Sequence, residues 1–144
     1  MKLLISILLI LSAFPAFSQH LTVEISGIST DKGVILLSAY RDKETFKAET
    51  PYKIYHFEKS GMKGGNLTIT ISDLEPGTYG LALIDDKNEN GKMDYHLFVP
   101  SEGFGFSNYL FKGTCKPDFD KFSFKLSSET KIDIRAQYFF KTDN

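Results

Sequence analysis

A short segment that begins at Asp86 concentrates oxygen-bearing side chains at alternating positions. These donors stand at the first, third, fifth and ninth places of the segment: Asp86, Asn88, Asn90 and Asp94. Gly91 at the sixth place suits a sharp turn, and Lys92 at the seventh can offer its backbone carbonyl. This spacing matches the first part of an EF-hand-type loop, in which a tight turn brings alternate oxygens onto one hard cation. The segment therefore predicts a structural Ca²⁺ site.

The segment lacks the bidentate carboxylate that ends such loops. Leu97 stands at the twelfth place and cannot ligate, so Glu102 or Asp85 would have to supply these oxygens. With this incomplete set we expect a dissociation constant on the order of 10⁻⁴ to 10⁻³ M, or somewhat tighter. An alternative needs no metal, because Asn90 and Gly91 suit a type I′ turn and Asn and Asp side chains bond their own backbone.

Two enzymatic arrangements can be drawn from other polar residues. Ser107 and His96 with an aspartate would make a hydrolase triad, but Ser107 lacks the G-x-S-x-G context of a nucleophile elbow. A copper oxidase would join His20 to His56 or His96, provided that processing leaves His20 at the N-terminus. A secreted hydrolase or copper oxidase is therefore the alternative to the non-enzymatic protein that the sequence favours.

The segment that follows the predicted calcium loop, Tyr95–Phe111, is rich in aromatic residues. It contains six Phe and Tyr residues around Pro100, Gly103 and Gly105. These rings either cover the open end of the core as a lid or form a stacking surface for a saccharide or peptide. The absence of Trp from the sequence weakens the case for a sugar.

The N-terminus has the pattern of a signal peptide. Lys2 precedes an apolar run from Leu3 to Leu11, which is shorter than the roughly 20 residues of a membrane span. Small residues at Ala16 and Ser18 fit a cleavage site after Ser18. We therefore predict a signal peptide at 1–18, export to the periplasm or the medium, and no membrane span in the mature form.

Composition limits the remaining possibilities. Residues 19–144 are enough for one domain and too few for two ordinary ones. Lysine and arginine number 17 against 18 acidic residues, and they are scattered along the chain, so no basic stripe points to nucleic acid. Cys115 is the single cysteine and cannot form an internal disulfide. We expect it to be a buried apolar filler, with an intermolecular bridge or a reactive thiol as alternatives.

Hydrophobic periodicity of two predicts an all-β domain. Seven strands are expected: 21–26, 34–40, 52–57, 67–71, 79–84, 122–126 and 132–140. A helical turn is expected around Phe46, and a loop of over 30 residues from Asp85 to about Asp118. Seven short strands with frequent turns predict a seven-stranded antiparallel sandwich of immunoglobulin-like or prealbumin-like type, with one long calcium-type loop.

Two motifs carry a resemblance to a known family. LEPGTYGLALIDDKNENGKMD, followed by FVPSEGFGFSN, resembles the signature of an exported bacterial family catalogued as domain of unknown function 2141. The resemblance extends from Leu21 to about Phe139, with departures at Phe98, Val99 and Tyr109. It implies no known activity. The PGxY turn is similar to prealbumin-like and carboxypeptidase-regulatory-like sandwiches, which implies an adhesion, scaffold or binding module whose partner is a protein or saccharide at the cell envelope.

Overall fold

The computed structural model describes residues 19–140, and the predicted signal segment 1–18 lies outside this range. The fold is mostly β. Its strands are β1 (His20–Ser26), β2 (Val34–Tyr40), β3 (Lys53–Glu58), β4 (Leu67–Ile71), β5 (Gly77–Asp86), β6 (Tyr95–His96), β7 (Val99–Pro100), β8 (Gly103–Phe106), β9 (Ser123–Leu126) and β10 (Glu129–Arg135). One short helix, α1 (Lys43–Lys47), and a 3₁₀ turn at Phe119–Lys121 complete the elements. Six of the expected strands and the helical turn around Phe46 are confirmed, with shifts at their ends, whereas the strand expected at 132–140 runs from Glu129 to Arg135.

The strands form two main sheets and one small hairpin. The first sheet has the order β10-β1-β4, and the second has the order β3-β2-β5-β8, with β9 also paired to β5. Strands β6 and β7 pair only with each other. The expectation of seven antiparallel strands is wrong in two respects: residues 19–140 contain ten strands, and β1 pairs with β10 in parallel. The parallel pair joins the two chain ends, and strand direction leaves no mark on hydrophobic periodicity.

Alternating side chains from both main sheets meet in one core. β1 illustrates the pattern, because Leu21, Val23 and Ile25 are at most 2% exposed whereas the residues between them are half-buried. Strand neighbours point to opposite faces, so one face of β1 enters the core and the other faces outward. The same core contains Ile35, Leu37, Ile69, Leu81, Leu83, Ile132 and Ile134.

A second cluster of rings covers the outer face of the five-stranded sheet. It is formed by buried aromatic residues from four parts of the chain: Tyr40, Phe46, Phe104, Phe106, Phe119 and Phe122. Asp42 caps the helix that supplies Phe46, because its carboxylate accepts a hydrogen bond of 2.8 Å from the backbone N–H of Thr45. The five-stranded sheet is therefore buried on both faces over much of its area.

The segment expected to be one long loop contains β8, which pairs with the end of β5. Phe104 and Phe106 point outward into the ring cluster, and Gly103 and Gly105 point inward. A Cβ on Gly105 would lie 2.6 Å from the carbonyl oxygen of Arg135 in β10. Gly105 therefore lets the two sheets approach each other closely at this edge.

Two further findings concern the expectations about cysteine and the membrane. Cys115 is exposed, so the expectation of a buried filler is wrong. It lies between Phe111 and Pro117, outside the strands. No helix within residues 19–140 is long and apolar enough to cross a bilayer.

Candidate calcium loop and its surroundings

Asp86 ends β5 and turns the chain into the candidate loop. Its two carboxylate oxygens accept hydrogen bonds from the backbone N–H groups of Asn90, at 3.2 Å, and Gly91, at 2.8 Å. Gly91 has φ +77°, a conformation that glycine adopts without a Cβ penalty. Asp86 is fully buried, so the structure places this first candidate ligand inside the turn rather than in solvent.

The side chains of Asn88, Asn90 and Asp94 converge. The amide of Asn88 donates to an Asp94 carboxylate oxygen at 2.7 Å, and the amide of Asn90 donates to both oxygens at 2.9 and 2.8 Å. These hydrogen bonds lower the pKa of Asp94, as does the charge of Lys92. Asn88 and Asn90 also accept bonds from backbone N–H groups two residues on, so the loop is braced by Asx-type turns. The structure therefore brings the side chains of Asn88, Asn90 and Asp94 together, with the two amide nitrogens turned toward the Asp94 carboxylate.

Glu102 closes the loop from outside the motif. Its Oε1 accepts a hydrogen bond from the backbone N–H of Lys87 at 3.0 Å, and its Oε2 accepts one from Asp94 at 3.3 Å. Burial raises the pKa of the Glu102 carboxyl above its ordinary 4.5, the charges of Asp86 and Asp94 add to the rise, and the two hydrogen bonds oppose it. Three carboxylates therefore act on one another at the base of the loop.

Asp85, the other candidate for the missing carboxylate, is committed elsewhere. Its Oδ1 pairs with the ammonium of Lys59, and its Oδ2 accepts a hydrogen bond from the Tyr138 hydroxyl. Lys59 also donates to the carbonyls of Thr30, at 3.1 Å, and Lys32. Burial raises the pKa of Tyr138 to about 12, and the bond to Asp85 adds to the shift. Of the two candidates, Glu102 is the one that faces the loop.

Gly33 fixes the position of the loop from the neighbouring strand. It has φ +73°, and a Cβ there would lie 2.0 Å from the carbonyl oxygen of Asp86 and 2.6 Å from Cα of Lys87. Only a residue without a side chain allows the turn before β2 to pass so close to the end of β5. The Asp31–Gly33 turn is therefore part of the platform of the loop.

Binding of a cation at the candidate loop would require amide and carbonyl oxygens as well as carboxylates. Within residues 19–140, no group of three or more His, Cys, Asp or Glu side chains is arranged to hold a metal ion. A cation at this loop would need the amide oxygens of Asn88 and Asn90 and the carbonyl of Lys92, in keeping with the oxygen preference of Ca²⁺.

The comparisons with known proteins place the chain in a family. A family model described as an uncharacterised protein conserved in bacteria, DUF2141, matches residues 23–134. The chain belongs to this family. The match confirms the resemblance carried by the two motifs. Comparison of this DUF2141 chain with curated proteins and with solved structures found no significant match.

The residues of the two enzymatic arrangements lie in different surroundings in the DUF2141 fold. Ser107 is fully buried, where its hydroxyl donates to the Phe122 carbonyl at 2.6 Å and accepts from the Leu81 N–H at 2.9 Å. His96 is exposed on β6 and packs edge-on against the ring of Phe140. His20 lies on β1 with its ring 2.9 Å from the hydroxyl of Ser72. Ser107 thus ties β5 to the chain before β9.

The rings of the aromatic segment 95–111 divide into a buried group and an exposed group. Phe104 and Phe106 are buried, and Tyr109 and Phe111 pack partly against them, so these rings cover the outer face of the sheet rather than the open end of the core. Tyr95 is 63% exposed and Phe98 is 98% exposed. Four of the six rings therefore cover the outer face of the five-stranded sheet and do not form the expected lid over the open end of the core.

Sequence reasoning missed Lys59, Tyr138 and Gly33, which hold or adjoin the end of β5 where the loop begins. Lys59 is 5% exposed although it follows an exposed strand residue in a polar stretch. Its partner Asp85 is 26 residues away in sequence, and Tyr138 is 53 residues from Asp85. No local pattern links such residues, and only the sheet topology brings them together.

Proposed function

We propose that this protein is an exported, non-enzymatic β-sandwich of immunoglobulin-like or prealbumin-like kind whose loop at Asp86–Asp94 binds Ca²⁺ as a structural ion. The ligands would be the side chains of Asp86, Asn88, Asn90, Asp94 and Glu102 and the backbone carbonyl of Lys92. The position of Glu102 supports this proposal most strongly. It is buried, faces two carboxylates, and holds both ends of the loop through Lys87 and Asp94.

Electrostatics gives a reason for a cation at this place. Asp86, Asp94 and Glu102 repel one another, and burial of Glu102 adds a desolvation cost. The two asparagine amides offset part of the charge on Asp94. A hard divalent cation would offset two of the three negative charges once the amides turn their oxygens toward it, and oxygen and nitrogen of such amides exchange places by a simple flip.

The loop would order the neighbouring aromatic hairpin for contact with a protein or saccharide at the cell envelope. Strand β6 begins at Tyr95, one residue after Asp94, and the Asp94 carbonyl accepts a hydrogen bond of 2.9 Å from Ser101 after β7. The loop and the hairpin therefore share a boundary. Cation binding to one would restrict the other.

Titration calorimetry with CaCl₂, repeated in excess chelator, tests the calcium proposal. We expect saturable heat at calcium concentrations up to millimolar, and a higher melting temperature with Ca²⁺. Asp94→Asn should remove most of the calcium-dependent shift. Asp118→Asn, the matched change at an exposed aspartate outside the loop and its platform, should keep it. Absence of heat and of any shift up to millimolar Ca²⁺ would exclude the calcium proposal.

Export is tested separately by N-terminal sequencing of the protein recovered from the periplasm or medium of an expressing cell. We expect the mature chain to begin at Gln19. A chain that begins at His20 would instead revive the copper oxidase alternative. A chain that keeps residues 1–18 in the cytoplasmic fraction would contradict export.

A further inference from the structure

A large cavity lies on the outer face of the five-stranded sheet, opposite the main core. Its volume is about 640 Å³, within the range of about 300 to 1,000 Å³ that is usual for small-molecule sites. Ser38, Ala82 and Ile84 form its floor from β2 and β5, and Phe104 and Phe106 continue the floor on β8. The small side chains of Ser38 and Ala82 lie directly opposite each other, which leaves space above the centre of the sheet.

Two irregular segments wall this cavity. Met93 of the candidate calcium loop and Phe98 of the hairpin that follows it line the cavity, as do Phe111 and Cys115 from the segment after β8. Ile54 adds an aliphatic wall from β3. The lining is therefore aromatic and aliphatic, with few polar groups, as expected for a site that takes up an apolar molecule.

Several of the lining side chains are more exposed than their chemistry favours. Phe98 is 98% exposed, Ile54 is 51% exposed and Phe139 is 48% exposed. Clustered apolar exposure costs roughly 25 cal/mol for each Å² that could be buried, and it marks binding surfaces. Phe98 also has φ +68° and Leu97 has φ +47°, a left-handed backbone that is unfavourable for bulky residues and is found at functional segments.

The charges at the cavity leave one excess positive group. Lys116 is paired with Glu49 at 3.0 Å. Lys92 also lines the cavity; within residues 19–140 its ammonium makes no hydrogen bond or salt bridge, although its charge also acts on Asp94 of the candidate loop. An anionic group on an otherwise apolar molecule would therefore complement the cavity mouth.

We propose that the cavity binds a small free amphiphile, with an apolar chain or ring over Ala82 and a single carboxylate at Lys92. This inference goes beyond the proposed function, because it concerns a second ligand in the cavity rather than the ion at the loop. The two are adjacent, since Gly91, Lys92 and Met93 belong to the loop region and also line the cavity. Calcium would therefore change the affinity for the amphiphile without being required for it.

Protection of Cys115 from alkylation tests the proposal on the unmodified protein. Cys115 lines the cavity, is exposed and is the single cysteine, so iodoacetamide labelling followed by intact-mass measurement reports on this place alone. We expect dodecanoate, below its micelle threshold, to slow labelling several-fold, both with Ca²⁺ and with chelator. Dodecanol should protect more weakly because it lacks the carboxylate. Unchanged labelling under both conditions would overturn the proposal, and equal protection by dodecanol would overturn the carboxylate assignment.

Two variants with matched controls locate the ligand. Ala82→Phe should fill the floor and abolish protection, whereas Thr70→Phe adds the same ring on the outer face of the other sheet and should not. Lys92→Ala should weaken dodecanoate protection to the level of dodecanol, whereas Lys125→Ala, at an exposed lysine outside the cavity, should leave it intact. Melting curves check folding, and the surface change at Lys92 keeps the test decisive if Ala82→Phe fails to fold. Full protection in folded Ala82→Phe and in Lys92→Ala would overturn the assigned site.

Discussion

Asp85 and Asp86 are neighbours in β5, yet their carboxylates serve opposite faces of the sheet. Asp85 points inward and is held by Lys59 and Tyr138, and Asp86 caps the turn at Asn90 and Gly91. Successive side chains of a strand alternate in direction, so the pair divides into an anchor and a candidate ligand. The anchor fixes the end of β5, and the candidate loop starts from that fixed end.

The buried anchor should contribute far more to stability than an exposed pair of the same type. Lys59→Met leaves the fully buried Asp85 without its cationic partner, so we expect a loss of about 3 to 5 kcal/mol in the free energy of unfolding, measured by urea denaturation. Lys53→Met is the matched control, because Lys53 pairs with Asp73 at the surface, where side chains are 38% and 56% exposed. The control should lose at most about 1 kcal/mol. Similar losses in the two variants would contradict the assigned role of the anchor.

Glu102 should make stability depend on pH. Its folded pKa is raised, so the folded state binds more protons than the unfolded state between the two pKa values. The Glu102 contribution is therefore fully present below 4.5 and is lost as pH rises through the folded pKa. In urea denaturation from about pH 4 to about pH 8, the stability of the parent chain relative to Glu102→Gln should fall with pH and then level off. The cost of the hydrogen bond lost in the variant does not depend on pH. A difference in stability between the parent and the variant that stays constant with pH would therefore contradict the raised pKa of Glu102.

Asp94 should act in the opposite direction. Hydrogen bonds from Asn88 and Asn90 lower its folded pKa, so its contribution is present above the ordinary 3.8 and is lost as pH falls through the folded value. The Asp94 and Glu102 effects therefore fall in different pH ranges. Calcium should reduce the loss from Glu102, because a bound cation favours its ionised form.

Strand positions could be predicted from periodicity because residues such as Leu21, Val23 and Ile25 alternate across one sheet face. Strand β8 could not, since half of GFGF is glycine, and a glycine in a strand is explained only by a neighbour such as Arg135 that lies far away in sequence. The parallel pairing of β1 with β10 could not be predicted either, because the two strands lie far apart in sequence and their pairing leaves no local signal.

The candidate site was predictable where its residues are local in sequence. Spacing alone singled out Asp86, Asn88 and Asp94; in the structure Asn88 bonds to Asp94, and Asp86 holds the backbone of Asn90 and Gly91. The choice between Asp85 and Glu102 needed the topology, because strand β8 runs antiparallel to β5 and returns the chain at Glu102 to the loop. The burial of Cys115 was predicted wrongly, because a single apolar residue in a polar stretch does not show whether other residues cover it.

Ser107 should be a structural residue rather than a nucleophile. Ser107→Ala removes a buried hydroxyl that bonds Leu81 and Phe122, so we expect a loss of about 1 to 3 kcal/mol in the free energy of unfolding. The matched control Ser101→Ala, at an exposed serine, should change stability by at most about 0.5 kcal/mol. Chemical denaturation measures both. Equal stability of the two variants would show that the buried hydrogen bonds contribute little.

Gly105 should be intolerant of even one methyl group. In Gly105→Ala the added Cβ would meet the Arg135 carbonyl at 2.6 Å and Cγ2 of Ile134 at 2.7 Å, so β8 must move away from β10. We expect a loss of about 1 to 3 kcal/mol in unfolding experiments. Gly113→Ala is the control, because its nearest neighbour would lie 3.7 Å from the new Cβ. If the Gly105 and Gly113 variants melt alike, the close approach of the sheets does not constrain this position.

The hairpin turn at Leu97 and Phe98 should lower the stability of the fold and contribute to ligand binding. Both residues have positive φ in a two-residue hairpin loop, where Asn-Gly is preferred, and left-handed backbone costs about 1 to 2 kcal/mol per ordinary residue. The double change Leu97→Asn with Phe98→Gly should therefore raise the melting temperature by a few degrees and weaken dodecanoate protection of Cys115, since Phe98 lines the cavity. Glu89→Gly relieves a similar positive φ of +57° away from the cavity lining, so it should stabilise the chain without loss of protection. A double variant that is more stable and still fully protected would separate the strained turn from the cavity and show that Phe98 does not take part in ligand binding.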